Sequence, residues 1–430
     1  MSRLQCYTVL INHYIVHTFS TSSACLGRHS VNCIINAQKN VTHPKTSPAN
    51  FALAPRAIPP GPYFMHQTLI SIHPVNRNER KENLIDHILE PPSYGWKDRD
   101  GRLIVPTSRQ IMREFWFRLN IFRTKKNWLV FFGWFKLVIL IPCLFIFFFR
   151  YFHFYLVAIA FIYSMIIMGT HGTIWYHRYC THRAYTFSNK FWRFVTRNLT
   201  VNIIPEEIYV ISHHVHHAMS DQPGDPYNAR AGFLYCFLAD VNHQPISTHL
   251  TEDEYARVVK MMAHTGVRPN TYVQYQRWGS VARPGWSLCG WILNWAFWGI
   301  VFYWLGGPAL AFALSGAAGF WAIGVRTFNY EGHGKGKDKH RDGVDFNRMD
   351  LSVNQLWPGY VAGEWHNNHH LFPSSARSGF LNYQLDLAWY YIRLLSAIGA
   401  VSSYHDSKER FLARFRPYKT DAGRRTHPIK

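Results

Sequence analysis

Histidine recurs in three tight clusters: HRYCTH at His177 to His182, HHVHH at His213 to His217, and HNNHH at His366 to His370. The second and third share the pattern His-x-x-His-His. On an α-helix, positions i, i+3 and i+4 fall within about 100° of one another, so three imidazoles point to one side and can offer nitrogen to a metal. A fourth contributor, NYEGH, places Asn329 and His333 four residues apart on one helix face. His177 and His182 are five apart, about 140° around an ideal helix, which predicts that one of them sits where its helix ends. The candidate ligand set is therefore His177, His182, His213, His216, His217, His333, His366, His369 and His370, with Asn329 beside them. One ion takes at most about six protein ligands, so the set calls for two.

Nearly all-imidazole coordination suits zinc, copper, iron or nickel. The seven cysteines form no C-x-x-C pair, which speaks against iron–sulfur and structural zinc sites, and their odd number fits reduced thiols in a cytosolic setting. Cys180, inside the first cluster, reads as packing. Two redox-active irons at a membrane face would mean oxygen chemistry on a lipid, whereas zinc would give hydrolysis.

Four apolar segments must position these residues, and they come as two pairs. Leu129 to Phe149 is long enough to cross a hydrocarbon core of about 30 Å, with Lys136 and Pro142 inside it predicting a snorkelling side chain and a kink. Phe154 to Gly169 follows after four residues and continues toward His171. The second pair runs from Trp286 to Leu305 and from Ala309 to Val325, with Gly306, Gly307 and Pro308 as the turn. Arg123, Lys125 and Lys126 precede the first span, and Arg326, Lys335, Lys337 and Lys339 follow the fourth, so the shared face is cytoplasmic and all the histidine clusters lie on it. The expectation is an all-α membrane protein: four transmembrane helices in two hairpins, with a cytosolic helical cap carrying a histidine-rich two-metal site.

The implied layout is a poorly ordered extension at 1–60, a cytosolic segment with a basic amphipathic helix at 61–127, hairpins at 128–170 and 286–325, and cytosolic regions at 171–285 and 326–430. Met65 is an alternative start to Met1. Residues 106–126 serve either as a positive-inside anchor or as a surface for the phosphates of a carrier such as coenzyme A. Of the 430 residues 48% are hydrophobic, yet mean hydropathy is only −0.15, so large wetted parts accompany the spans. The net charge of +21 fits anionic lipid headgroups rather than nucleic acid, because the aromatic residues lie in apolar runs and not along basic stripes. His171 reads as a cap on a span end or a group behind a ligand. His214 is rotated off the ligand face toward solvent or a carboxylate, and His243, His249, His264 and His340 receive no role. Glu206, Glu207, Asp225 and Glu364 could accept the second N–H of a ligating imidazole or could form exposed salt bridges. Trp128, Trp175, Trp286 and Trp304 read as an interfacial belt.

The order HRYCTHRAY at 177–185, HHVHH followed by GDPYNARAGF at 224–233, Asn329 and His333, then GEWHNNHHLFPSSARSGF at 363–380 and QLDLAWYYIR, resembles the membrane-bound fatty acid desaturases, in particular the delta-9 acyl-CoA or acyl-lipid type of the bacterial and plant branch. The resemblance covers roughly 110–400. It implies that the nine histidines ligate two irons, that Asn329 holds a water bound to one of them, and that dioxygen is co-substrate in placing a cis double bond in a saturated acyl chain carried on coenzyme A or lipid. Electrons would come from a separate ferredoxin or cytochrome b5, since no HPGG-type haem segment is present. The location implied is a bacterial inner membrane or endoplasmic reticulum, with both termini cytoplasmic. The glycine- and lysine-rich stretch after His333 and the EWHNN context depart from the animal enzymes and leave the donor and carrier surfaces open. Two alternatives stand beside this reading: a lipid hydroxylase with the same metal site, and a histidine-rich zinc receptor or hydrolase.

Overall fold

Long runs of Leu, Ile, Val, Phe and Trp with helix-compatible spacing dictate the frame. The computed structural model describes residues 83–333, 365–382 and 384–415. The 1–60 extension, both candidate starts, Lys335, Lys337, Lys339, His340 and Glu364 lie outside the described residues. Helix α1 (Ser108–Leu119) opens with a capping box in which Thr107 and Gln110 each accept the other's backbone N–H. The sequence predicts a helix to 126, but Asn120 turns extended and only a 3-10 turn, Lys125–Asn127, follows before the first membrane-length helix.

Three helices are long and apolar enough to cross a membrane. The first, α2 (Trp128–Arg150), runs without interruption through Pro142. Lys136 does not snorkel: it is buried, donates to the Ile203 carbonyl at 3.0 Å and lies 3.5 Å above the Trp291 ring. The second, α3 (Phe154–Thr181), contains two stretches of π-helix, Ile162–Met168 and Thr173–Thr181. The third, α6 (Pro284–Gly332), is broken at Gly306 and at Gly307, whose φ of +66° suits only glycine. On the far side of that break Phe312 stacks on Tyr151, and Gly316 and Gly319 approach α2 so closely that a Cβ would lie 2.7 Å from Leu144 Cα and 2.9 Å from Leu140 Cβ. Partner numbers fall as α6 advances, so this arm runs antiparallel to α2, while the arm before the break starts beside Trp128 through Trp291.

Between α3 and α6 lie α4 (Lys190–Arg197) and α5 (Glu206–Met219), and after α6 come α7 (His366–Leu371) and α8 (Leu387–Ala397). The fold is mostly helical rather than all-α. Strands β1 (Tyr185–Phe187) and β2 (Val401–Tyr404) pair antiparallel with a bulge, joining aromatic and β-branched residues more than 200 positions apart, a contact no local periodicity announces. One apolar cluster gathers Trp175, Tyr185, Val210, Ile211, Tyr275 and Ile392 around the histidine-bearing elements, and a second gathers Leu137, Leu140, Met165, Phe302 and Leu314 among the long helices. Trp128 and Trp175 belong inside, at 1% and 0% exposure, so only Trp286 and Trp304 remain from the expected belt.

Candidate metal centre

The nine histidines converge into two groups. His177, His182, His213, His217 and His369 form one, and His216, His333, His366 and His370 the other; within each, the nearest ligand atoms lie within 4.8 Å of one another. Helix α5 serves both: His213 and His217, one turn apart, face the first group and His216 the second. Helix α7 does the same, sending His369 to the first and His366 and His370 to the second.

The five-residue spacing of HRYCTH is resolved by the backbone. Over Thr173–Thr181 the helix is π, and the His182 N–H donates to the His177 carbonyl at 3.2 Å, an i+5 to i bond. That turn brings the His182 and His177 rings together edge to face, with centroids 5.0 Å apart, where an α-helix would splay them. His182 ends the helix, as its spacing predicts, and Arg183 leaves it with φ +49°.

The chemistry of the donor set fits a bound cation. In the first group Nε2 atoms face one another at 2.8 Å (His177–His213), 3.2 Å (His213–His217) and 3.0 Å (His217–His369). In the second the separations are 3.1 Å (His216–His333), 2.9 Å (His333–His366) and 3.1 Å (His366–His370). His216 Nδ1 donates to Asp225 at 2.8 Å, and His333 Nδ1 donates to Asp221 at 3.1 Å. A neutral imidazole whose Nδ1–H serves a carboxylate carries a lone pair at Nε2. His216 and His333 thus aim two lone pairs at each other across 3.1 Å, an arrangement that is repulsive without a cation and attractive with one. Burial, reinforced by the like charge of neighbouring imidazoles, pushes His182, His213, His217 and His369 well below the ordinary histidine range and favours the neutral ring, which keeps one nitrogen of each free of a proton.

Of the carboxylates considered from the sequence, Asp225 alone meets an imidazole among the described ones. Glu206 pairs with Arg197 at 2.6 Å, and Glu207 accepts the Val281 and Ala282 N–H groups. Asp221, missed by sequence reasoning, occupies a left-handed turn at φ +60°, its N–H held by Asp225 at 2.9 Å; the signal was a second aspartate four residues ahead of Asp225. Also missed was a buried clasp. Arg178, next to His177, donates to Ala376 O, Ser378 Oγ and Asp386, tying α3 to the loop after α7. His214 lies outside both groups, half-buried beside Arg183 and His264, and is pushed down to about 4 by burial. His171 is buried outside both groups, and among the described residues neither of its ring nitrogens has a hydrogen-bond partner. Asn329 sits one turn before His333 and lines a cavity with His177 and His213. That cavity extends between α3 at Met165 and Gly172 and α6 at Trp321.

Fold and site together define a class: a mostly helical protein with membrane-length helices and clustered histidines able to hold metal. The model for the family described as fatty acid desaturase matches residues 152–407, and the chain belongs to that family. It is 30% identical over 211 residues to the Delta-9 desaturase-like 1 protein of Arabidopsis thaliana, covering 48% of this chain and 62% of that one. It is 26% identical over 255 residues to the Icosanoyl-CoA 5-desaturase of Limnanthes douglasii, covering 57% and 65%. It is 26% identical over 255 residues to the sn-1 stearoyl-lipid 9-desaturase of Anabaena variabilis, covering 57% and 83%. The chain thus spans less than two thirds of the length of the first two of these relatives.

Proposed function

We propose that the protein is an oxygen-dependent fatty acyl desaturase that places a cis double bond, at delta-9, in a saturated chain carried on coenzyme A or a lipid. The observation that carries this reading is the cavity between α3 and α6, lined by apolar residues such as Met165 and Trp321 together with His177, His213 and Asn329. An acyl chain lying there brings two adjacent methylenes against the imidazole groups. The apolar part of the wall excludes water, and the position at which the chain is held against the imidazoles selects which carbons react. The nine histidines would hold two irons, the Asp225 and Asp221 carboxylates orienting His216 and His333. When bound, iron supplies the redox chemistry with dioxygen. In balance, –CH2–CH2– with O2, two electrons and two protons gives –CH=CH– and two waters. The Asn329 amide, which lines the cavity beside His177 and His213, would hold one water by hydrogen bonding. A ferredoxin or cytochrome b5 supplies the electrons.

The break at Gly306 and Gly307 supports reading α6 as two passes, hence four spans in two hairpins with both termini and the imidazole groups on the cytoplasmic side of a bacterial inner membrane or endoplasmic reticulum. Expression in a host lacking its own desaturase, with mass-spectrometric location of new double bonds, tests the activity. Unsaturated chains are expected; hydroxylated chains alone would replace desaturase by hydroxylase. Metal analysis is expected to give two irons per chain, and one zinc with little iron would overturn the reading.

A further inference from the structure

Residues 198–205, joining α4 to α5, are neither helix nor strand, yet they are buried or half-buried, and side chains of all three membrane-length helices satisfy their backbone. The Asn198 carbonyl accepts from Trp298 Nε1 at 3.0 Å, and the Thr200 carbonyl from Asn294 Nδ2 at 3.1 Å. Val201 N–H donates to the Tyr163 hydroxyl at 3.4 Å and Asn202 N–H to Asn294 Oδ1 at 2.8 Å. The Asn202 carbonyl accepts from Trp295 Nε1 at 2.8 Å, and the Ile203 carbonyl from Lys136 Nζ at 3.0 Å. Val201 and Ile203 pack into the same cluster as Leu140, Met165, Phe302 and Leu314.

The depth of these partners is what matters. Lys136 is eight residues into α2, about 12 Å at 1.5 Å per residue, and Asn294 is ten into α6, about 15 Å. Tyr163, measured from the opposite end of α3, is nine residues in, about 13 Å. Measured from both sides, the segment comes near the middle of a hydrocarbon layer of about 30 Å. Irregular backbone survives at such depth only when protein groups satisfy it, and that is the arrangement found here. The helix leading in carries Phe191 and Phe194 at 64% and 66% exposure, side chains suited to lipid rather than water.

We infer that residues 198–205 form a re-entrant segment inserted among the membrane-length helices, with Lys136 and Asn294 as positioning residues that set both the cavity wall and the entry of the histidine helix. Ile204 faces the cavity, and Glu206, two residues on, begins α5 with His213, His216 and His217. The lysine in the middle of an apolar helix is therefore a tether. Its role for the acyl chain rests on the desaturase reading; the insertion itself does not.

The test uses full-length protein in sealed membranes. A cysteine replacing the buried Thr200 is expected to resist a membrane-impermeant maleimide from both faces in peptide-resolved mass spectrometry, while one replacing the exposed Asp253 labels readily. Lys136→Met is expected to raise labelling at position 200 at least tenfold and Lys136→Arg to restore protection; equal labelling in Lys136→Met and the parent would remove Lys136 from the assignment. A spin label at a Phe194→Cys position, with the other accessible cysteines replaced, is expected to meet oxygen and not a water-soluble nickel chelate. Nickel access there, or labelling at 200 as fast as at 253, would overturn the insertion. None of these readouts needs turnover, so a host that accumulates no unsaturated chain would refute the proposed activity and leave the segment standing.

Discussion

The two kinds of histidine helix solve one problem by different backbone means. In α5 and α7 ordinary α-geometry sends i and i+4 to one imidazole group and i+3 to the other, so each helix is shared between the two groups. At the end of α3 a π-turn places i and i+5 together, so both of its histidines serve a single group. The difference teaches that ligand spacing is read correctly only with the helix type in hand. It also predicts unequal consequences of damage: α5 and α7 are common to both groups, while α3 serves one.

The largest effect is expected where a group loses one of its imidazoles. His216→Ala or His366→Ala is expected to abolish product, by at least ~100-fold, while the protein still inserts, and metal content per chain measures the ligand loss alongside turnover. Next comes the clasp that holds the π-turn to the loop after α7. Asp386→Ala leaves Arg178 buried at 0% exposure without its carboxylate and is expected to cost about 3–5 kcal/mol in denaturant unfolding. Replacing both partners, Arg178→Met with Asp386→Leu, is expected to recover part of that loss, and an additive result would show that the pair does not act as a unit.

Asp225→Asn is expected to weaken metal binding about 10–100-fold in the group containing His216, with the α3 group still loaded; equal loss from both would erase the distinction drawn between them. A separate effect is that of pH on the metal-free protein. His182, His213, His217 and His369 titrate below the ordinary value of 6.5 when folded, so below pH 6.5 the unfolded chain takes up protons that the folded chain refuses. Stability is complete above pH 6.5 and falls as pH drops, by up to about 1.4 kcal/mol per pH unit for each histidine. Unfolding midpoints at pH 7.5 and 5.5 measure this, and a site whose midpoint rose on acidification would contradict the burial argument.

Much of the site was legible because imidazoles at helical spacing declare themselves locally, and the nine histidines chosen from spacing are the nine that converge. The glycine pair that breaks α6 and the limits of α2 were legible for the same reason. What was not legible depends on partners remote in sequence. Lys136 reads as a snorkelling residue until Ile203 and Trp291 are placed against it, and Trp128 and Trp175 read as interfacial until the core closes over them. The β1–β2 pair, the Arg178–Asp386 clasp and the Asp221 contact share this character, and the π-turn escaped because an α-helix was assumed.

The placement of α7 also sets a clock on assembly. Neither imidazole group is complete until His366 to His370 arrive, and 366 − 177 = 189 residues separate His366 from His177. At about 5–20 residues per second of synthesis, His177 therefore waits roughly 10–40 s for its partners from α7. Within that interval α6 itself is still being made, so the earlier histidines wait on an incomplete chain. Full metal loading thus comes late in biogenesis, and a ribosome stalled after α6 leaves an inserted protein with neither group finished.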